Sequence, residues 1–548
     1  MEQDRLRRYG VYQIYPISFC DSDGDGKGDL KGILSKLDYL SSLGIHNLWL
    51  SPIYVSPMRD MGYDIADYYA INPIFGTMED FDTLVKEAEK RDIKIIMDLV
   101  VNHTSSDHPW FQEALKAPDS KYRDYYIFRK GENGKRPNNW TSSFGGSAWE
   151  EVEGEKGTYY LHLYGKEQPD LNWHNEEVYR EVKKILNFWM DKGVYGFRCD
   201  VISEIYKTSF EDGKKRKISE PVGAEHFIAQ KGCHQILKRL RKEVIQPRHG
   251  VLIGELYGVD DKQAQEFLDG ELDTLFGFEI TDTKSLLRQR IRPKDFKNVL
   301  VKWQENVSCN GNYLENHDQH RSVGKYVKRG RDEIAGAKML LTLLCALKGV
   351  PFFYQGQELA LVDYNHLSEE ESHDIVRKFL EELLKKYAVP PFLRHFIARK
   401  FGRDDARGPM PFSSIDGFGF TLPGRKPWQK FYDVSKERNV ERGEKDPSSV
   451  LSYFRKALSL RQSDDVLSFG EISFLPSDRD VLLFLRTYQG KRRVALFNLS
   501  DKRKEVPSFP EGKKDLLLSN VYPRKKEDSL LPYESRIYRI DEPFSKDG

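Results

Sequence analysis

Short apolar runs that end abruptly in charged or polar residues recur along this chain, and four of them share one pattern. They are Ile95-Ile96-Met97-Asp98-Leu99-Val100-Val101-Asn102-His103, Gly196-Phe197-Arg198-Cys199-Asp200-Val201-Ile202, Val251-Leu252-Ile253-Gly254-Glu255 and Tyr313-Leu314-Glu315-Asn316-His317-Asp318. A continuous apolar run is how a parallel strand buried on both faces reads. The alternation predicts strands at Val11–Phe19, His46–Ile53, Ile93–Asn102, Gly193–Ile202, Val251–Leu256, Leu272–Ile280, Gly311–His317 and Val350–Gly356. Between most of them it predicts helices, at Leu30–Leu43 with Asp29 as cap, and at Met78–Arg91, Glu176–Lys192, His234–Val244, Lys294–Glu305, Ile334–Leu347 and Ser449–Arg461. Eight strands with helical crossovers, and carboxylates at the ends of non-adjacent strands, predict an α/β fold of the (β/α)8 TIM-barrel type.

Two excursions leave this pattern. Residues 104–173, rich in Trp, Tyr, Asn, Gly and Pro, are too long for a bare loop and predict a lid subdomain over the barrel mouth after the third strand. A charged helical insertion, His366–Lys400 with Glu369–Glu371, follows the eighth strand. Beyond residue 465 the alternation stops, and Ile472–Leu475, Val481–Thr487 and Arg492–Asn498 predict short strands of a C-terminal all-β sandwich. The expected division is 1–103 and 174–465 for the barrel, with an insertion at about 360–400, 104–173 for the lid and 466–548 for the sandwich.

Composition narrows the function. Hydrophobic residues at 39% and charged residues at 31% over 548 residues describe a globular chain. The net charge of +1 gives no overall field to attract nucleic acid or an anionic membrane, so neither is an expected partner. Lys214-Lys215-Arg216-Lys217 is the densest basic run, and its acidic neighbours Glu211, Asp212 and Glu220 make it a solvated loop. No apolar leader opens the chain, and Met339–Leu347 is too short to span a bilayer. Five scattered cysteines fit free thiols in a reducing cytoplasm.

Glycoside hydrolysis needs two carboxyl groups flanking the scissile bond, one ionised and one protonated. Asp200 follows Arg198 by two residues, so both share a strand face, and the guanidinium is expected to keep Asp200 ionised as a nucleophile. Glu255, among Ile253, Gly254, Leu256 and Tyr257, has no basic neighbour along the sequence, which suits a general acid. Asp318 lies beside His317 and His320 and is placed to bind hydroxyls or stabilise positive charge. Any one of 85 acidic residues carries little weight; four strand-end motifs together point to an active site.

These motifs, with Gln168-Pro169-Asp170-Leu171-Asn172-Trp173, resemble the α-amylase family of glycoside hydrolases, and within it the oligo-1,6-glucosidase group. The resemblance runs to about residue 460. It implies a retaining mechanism with Asp200 as nucleophile, Glu255 as acid/base and Asp318 as transition-state stabiliser. It assigns His103, Arg198 and His317 to the glucose in the −1 subsite, and Tyr63 to stacking beneath that sugar. Asp60 would hold the non-reducing-end hydroxyls with Arg407 as its partner, closing the pocket for exo action on a small oligosaccharide or disaccharide. Val201, after the nucleophile, is the residue that in this group accompanies α-1,6 preference, and as a strand residue it would shape the +1 space. The loop Asp21-Ser22-Asp23-Gly24-Asp25-Gly26-Lys27-Gly28-Asp29 has the alternating oxygens and glycine bends of a hard-cation site. Asp21, Asp23, Asp25 and Asp29 are the expected side-chain ligands, with the Lys27 carbonyl. The family's loop here commonly binds calcium, in a structural role.

His320, Glu315, Gln357 and Pro409-Met410-Pro411-Phe412 depart from the group's pattern around the +1 subsite. They leave a sucrose-active isomerase or transglucosidase, and a trehalose-6-phosphate hydrolase, open beside isomaltose hydrolysis. A non-catalytic barrel scaffold is the remote alternative, since such relatives lose carboxylates that this chain keeps. Oligomeric state is not legible.

Overall fold

The computed structural model describes residues 2–214, 220–281, 290–328, 330, 332–368, 370–508, 512–521 and 528–541. Lys215–Lys217 of the basic run and Glu369 of the insertion lie outside the described residues. The eight barrel strands are Val11–Ile14, Asn47–Leu50, Lys94–Leu99, Gly196–Cys199, Val251–Leu256, Thr274–Gly277, Gly311–Asn312 and Val350–Tyr354. All neighbours in the sheet are parallel, in the spatial order six, five, four, three, two, one, eight, seven. A parallel bridge between Leu275 and Asn310 joins the sixth and seventh strands and closes the barrel. Close approach of the fourth and fifth strands requires Gly196, where a Cβ would lie 2.3 Å from the Val251 carbonyl oxygen.

The strands are shorter than the apolar runs that predict them. Pro16 cannot donate to a ladder, so the first run turns into a short helix at Pro16–Ser18. The helix expected at Leu30–Leu43 is two, Leu30–Ser35 and Leu37–Ser42, separated at Lys36. Asp29 does cap the first, accepting from the Gly32 amide at 2.7 Å.

Residues 104–173 contain helix Pro109–Lys116 and a three-stranded antiparallel sheet of Phe128–Lys130, Thr158–Leu161 and Trp149–Glu151. The insertion after the eighth strand is a hairpin of helices Ile375–Lys386 and Pro391–Phe401. The tail is all-β: a five-stranded antiparallel sheet built on Val481–Tyr488 and Lys491–Asn498, with a two-stranded ribbon beside it. All five cysteines are buried and unpaired. No described helix is long and apolar enough to cross a membrane.

Candidate active site

The parallel register sets Asp98 of the third strand directly opposite Arg198 of the fourth. Arg198 is wholly buried and touches three carboxylates: Asp98 at 2.6 Å, Asp200 at 2.5 Å and Glu255 at 2.6 Å. Glu255 therefore has a basic partner that its sequence neighbours conceal. The expectation that Arg198 keeps the Asp200 pKa low is also overturned. Burial pushes Asp200 up to about 7 against the pull of Arg198, because one guanidinium is shared among three acids. Burial likewise pushes Glu255 up to about 7. Asp98, anchored by the Trp49 indole at 2.9 Å, rises to about 6 by burial.

Val201 does not continue the strand. The strand ends at Cys199, and Val201 adopts a left-handed conformation at φ 37°, which is strained for a β-branched residue. The turn aims its N–H at Glu255 Oε2, 3.1 Å away, so the residue after Asp200 tethers the second carboxyl. Strain at this point is repaid by a hydrogen bond to a buried acid.

Asp318 has the opposite electrostatics. Burial raises its pKa, but His317, Arg403 and Arg407 together outweigh burial and hold the carboxyl well below the usual range. Arg407 Nη2 lies 2.9 Å from Asp318, and Arg407 Nε donates to the His317 carbonyl at 2.9 Å. His317 accepts from the Gln13 amide at Nδ1 (2.8 Å), which leaves Nε2 to face Asp318 at 3.0 Å. The ring of Tyr63 stacks on His317 at 5.2 Å and 4°, and its hydroxyl reaches Asp98 at 3.3 Å. His103 Nε2 lies 3.0 Å from the Tyr63 carbonyl oxygen.

The structure corrects the partner of Asp60. Arg403, not Arg407, reaches Asp60 at 2.9 Å, and it also contacts Asp374 at 2.7 Å and Asp318 at 3.3 Å. The short helix Asp404–Ala406 separates the two arginines by one turn and sends them to different acids. Gln168 joins Asp60 from the lid at 3.2 Å. Sequence reasoning missed Arg403, which lies four positions before Arg407 in Arg403-Asp404-Asp405-Ala406-Arg407, and Asp374, which carries no signal along the chain. It also missed Glu204, fully buried and hydrogen-bonded to the Tyr164 hydroxyl at 2.9 Å, because Glu204 sits past the strand end. His320 turns away from Asp318, its Nδ1 lying 3.2 Å from both Asp363 and Asp405. Glu315 is absorbed by Arg321 at 3.0 Å.

Several buried donors here lack a hydrogen-bond partner among the described residues: Arg198 Nε and Nη2, His317 Nε2, Arg407 Nη1 and Asn316 Nδ2. Arg198 Nη2 and His317 Nε2 touch carboxylates at ion-pair distance without hydrogen-bond geometry. Donors and acids packed around a Tyr63–His317 stack suit a polyhydroxylated ring.

In the aspartate loop, Asp21, Asp23 and Asp29 converge, with ligand atoms within 4.8 Å of one another. Asp25 stands outside this group, its carboxylate 45% exposed and 3.6 Å from the Lys27 ammonium. Asp21 accepts from the amides of Gly24 (2.7 Å) and Gly26 (2.8 Å) and from the Thr421 hydroxyl (2.5 Å), which ties the loop to the long segment that follows the eighth strand.

Residues 13–470 match the model of the alpha-amylase catalytic domain. The chain is 41% identical to an oligo-1,6-glucosidase of Parageobacillus thermoglucosidasius, over 99% of this chain and 100% of that one. It is 37% identical to a trehalose-6-phosphate hydrolase of Bacillus subtilis, over 97% and 98%. Among solved structures it is similar to a Bacillus licheniformis trehalose-6-phosphate hydrolase, at TM-score 0.91 and 34% identity, over 98% of this chain and 100% of that one. An isomaltulose synthase from Klebsiella sp. LX3 gives TM-score 0.91 and 33% identity, over 98% and 99%.

Proposed function

The chain belongs to the α-amylase family of glycoside hydrolases, and we propose that it is a retaining, exo-acting α-glucosidase acting on α-1,6 bonds at the non-reducing end of short oligosaccharides such as isomaltose. The carrying observation is the pair of buried carboxyls, Asp200 and Glu255, held on one guanidinium beside the strongly acidic Asp318. Two carboxyls on one Arg198 suit the separation of about 5–5.5 Å used by retaining enzymes rather than the wider gap that admits a water. Near-full-length similarity to oligo-1,6-glucosidases favours isomaltose over the alternatives.

In this reading Asp200 attacks the anomeric carbon as its bond to the leaving oxygen breaks, and Glu255 gives its proton to that oxygen. A glucosyl ester on Asp200 results. Glu255, now ionised, takes a proton from water, whose oxygen attacks the anomeric carbon and frees Asp200, retaining the α configuration. Asp318 stays ionised throughout and stabilises the positive charge on the ring. Tyr63, His103 and His317 hold the −1 glucose, Asp60 with Arg403 takes its non-reducing-end hydroxyls, and Arg407 positions Asp318. Val201 sets the linkage by fixing Glu255. Asp21, Asp23 and Asp29 offer an oxygen-only set that fits calcium, which would brace the loop without touching the chemistry. The unpaired buried thiols favour a cytoplasmic location, which recovery of the mature protein outside the cell would overturn.

Initial rates on isomaltose, maltose, sucrose and trehalose 6-phosphate, for the wild type and Asp200→Asn, test the reading. Fastest turnover of isomaltose, abolished in the variant, is expected. Turnover of sucrose or trehalose 6-phosphate without isomaltose keeps the chemistry and overturns the linkage. No turnover of any of the four returns the scaffold reading.

A further inference from the structure

The insertion hairpin after the eighth strand carries an apolar surface that the described residues leave uncovered. Its inner face is fixed: Arg377 is buried against Glu381 at 3.2 Å and the Leu367 carbonyl at 3.0 Å, Ala398 is buried, and the Phe379 ring packs on Gly145 of the lid. Its outer face is open. Tyr387 is 72% exposed, Phe392 78% and Phe396 52%, with Leu383, Leu393 and Phe401 also exposed. Six of the eleven large exposed hydrophobics among the described residues thus lie on one hairpin, so this is a patch and not the usual scatter.

Two further features say what such a patch would meet. The tip reads Tyr387-Ala388-Val389-Pro390-Pro391-Phe392-Leu393, an uncharged apolar turn, and it is bounded by Lys385-Lys386 on one side and Arg394 on the other. The two helices together hold seven Lys and Arg against two Glu. Arg377 is engaged by Glu381 and Arg399 by the Tyr364 and Asn365 carbonyls, but Lys385, Lys386 and Arg394 leave an excess at the tip that the whole-chain charge of +1 hides. An apolar tip ringed by cations matches the boundary between acyl chains and phosphate headgroups. A second copy of the hairpin fits poorly, because tip-to-tip contact would bring Lys385, Lys386 and Arg394 against their own images.

We propose that this hairpin tip is a docking site for an anionic lipid surface, with Tyr387, Phe392 and Phe396 at the headgroup boundary and Lys385, Lys386 and Arg394 on lipid phosphates. The root of the hairpin carries Asp374, 2.7 Å from Arg403, so the element that would dock also borders the pocket.

Co-sedimentation of the full chain with vesicles tests this. Vesicles of equal parts phosphatidylglycerol and phosphatidylcholine are expected to bind it, and pure phosphatidylcholine about a hundredfold more weakly, as three basic side chains at the surface predict. High salt is expected to release it. Phe392→Ser/Phe396→Ser and, separately, Lys385→Glu/Lys386→Glu are each expected to weaken binding at least about tenfold, with unchanged glucosidase rates certifying the fold. No binding to anionic vesicles, or equal binding by wild type and both variants, overturns the proposal. So does concentration-dependent dimerisation that Phe392→Ser/Phe396→Ser abolishes in a protein indifferent to lipid, which assigns the face to a second copy.

Discussion

Replacing Arg403 with Met isolates the charge that closes the pocket. The guanidinium, whose carbon lies 5.6 Å from the centre of the Phe144 ring, is replaced by an uncharged chain, and Asp60, Asp374 and Asp318 each lose a cation. Asp318 keeps Arg407 at 2.9 Å and His317 at 3.0 Å, so charge stabilisation at the reacting carbon survives. Among the described residues the Asp60 carboxylate keeps the Gln168 amide at 3.2 Å. A hydrogen bond to a charged group contributes about 1.5–3 kcal/mol, which is roughly 10- to 150-fold in affinity. Arg403→Met is therefore expected to raise KM for isomaltose within that range and to lower kcat much less. Stability falls as well, because Asp374 loses the cation that offsets its burial; removing one partner of a buried pair costs about 3–5 kcal/mol. Thermal unfolding of the substrate-free protein measures that part separately.

The decisive experiment is a pair of double-mutant cycles on kcat/KM for isomaltose. Asp60→Asn with Arg403→Met is expected to couple by about 1–3 kcal/mol, as residues in one ion pair do. Asp60→Asn with Arg407→Met is expected to be additive within about 0.5 kcal/mol, because Arg407 is committed to Asp318 and the His317 carbonyl. Strong coupling of Asp60 to Arg407 with none to Arg403 would refute the assignment and restore the pairing that the sequence suggested.

Three other outcomes are expected. Asp200 and Glu255 are both pushed up to about 7 by burial, and the form with one proton between them is active, so kcat/KM should be bell-shaped with its maximum near neutral pH. With an activated aryl glucoside, Glu255→Gln should lose the alkaline limb and keep the acid limb; an alkaline limb that persists would remove Glu255 from the acid role. Burial lifts Glu204 to about 8, so the native state keeps a proton that the unfolded chain releases above about pH 4.3. Stability is then lost as pH rises between those values, by up to about 1.4 kcal/mol per unit. Glu204→Gln should flatten the dependence and raise the unfolding temperature at pH 8 relative to pH 5; an equal shift at both would contradict it. Calcium should stabilise the fold by about 2.7 kcal/mol at a hundredfold excess over Kd and so raise the unfolding temperature relative to chelator, and Asp23→Asn should weaken that gain. An identical temperature with and without calcium would eliminate the site.

The barrel was legible because burial on both faces leaves an unbroken apolar run, and the run Val251–Leu256 coincides with its strand. The same signal overshoots at strand ends. Tyr313 and Leu314 are as buried as strand residues, but the seventh strand stops at Asn312. Apolar periodicity reports burial, and the chain stays buried there while it turns to deliver Asp318 to Arg407. The helical insertion illustrates a second limit. Its sequence reads as charged, and only the packing reveals that the charges flank an open aromatic face.

Site chemistry was legible residue by residue and illegible in its pairings. Arg198 could be read as the neighbour of Asp200 because two positions apart along a strand share a face. Nothing in the spacing says that the same guanidinium also meets Asp98 across the sheet and Glu255 from the next strand. That sharing reverses the sign of the Asp200 shift: one cation divided among three buried acids leaves burial dominant. The consequence is functional. An arginine committed to Asp200 alone would fix that group as permanently ionised and leave Glu255 to hold its proton unaided. An arginine shared between them ties the two states together. When Asp200 becomes a neutral ester, the guanidinium is left to Glu255 and favours the ionised carboxylate that must take a proton from water. When Asp200 is released as a carboxylate, the guanidinium is shared again and Glu255 can hold its proton.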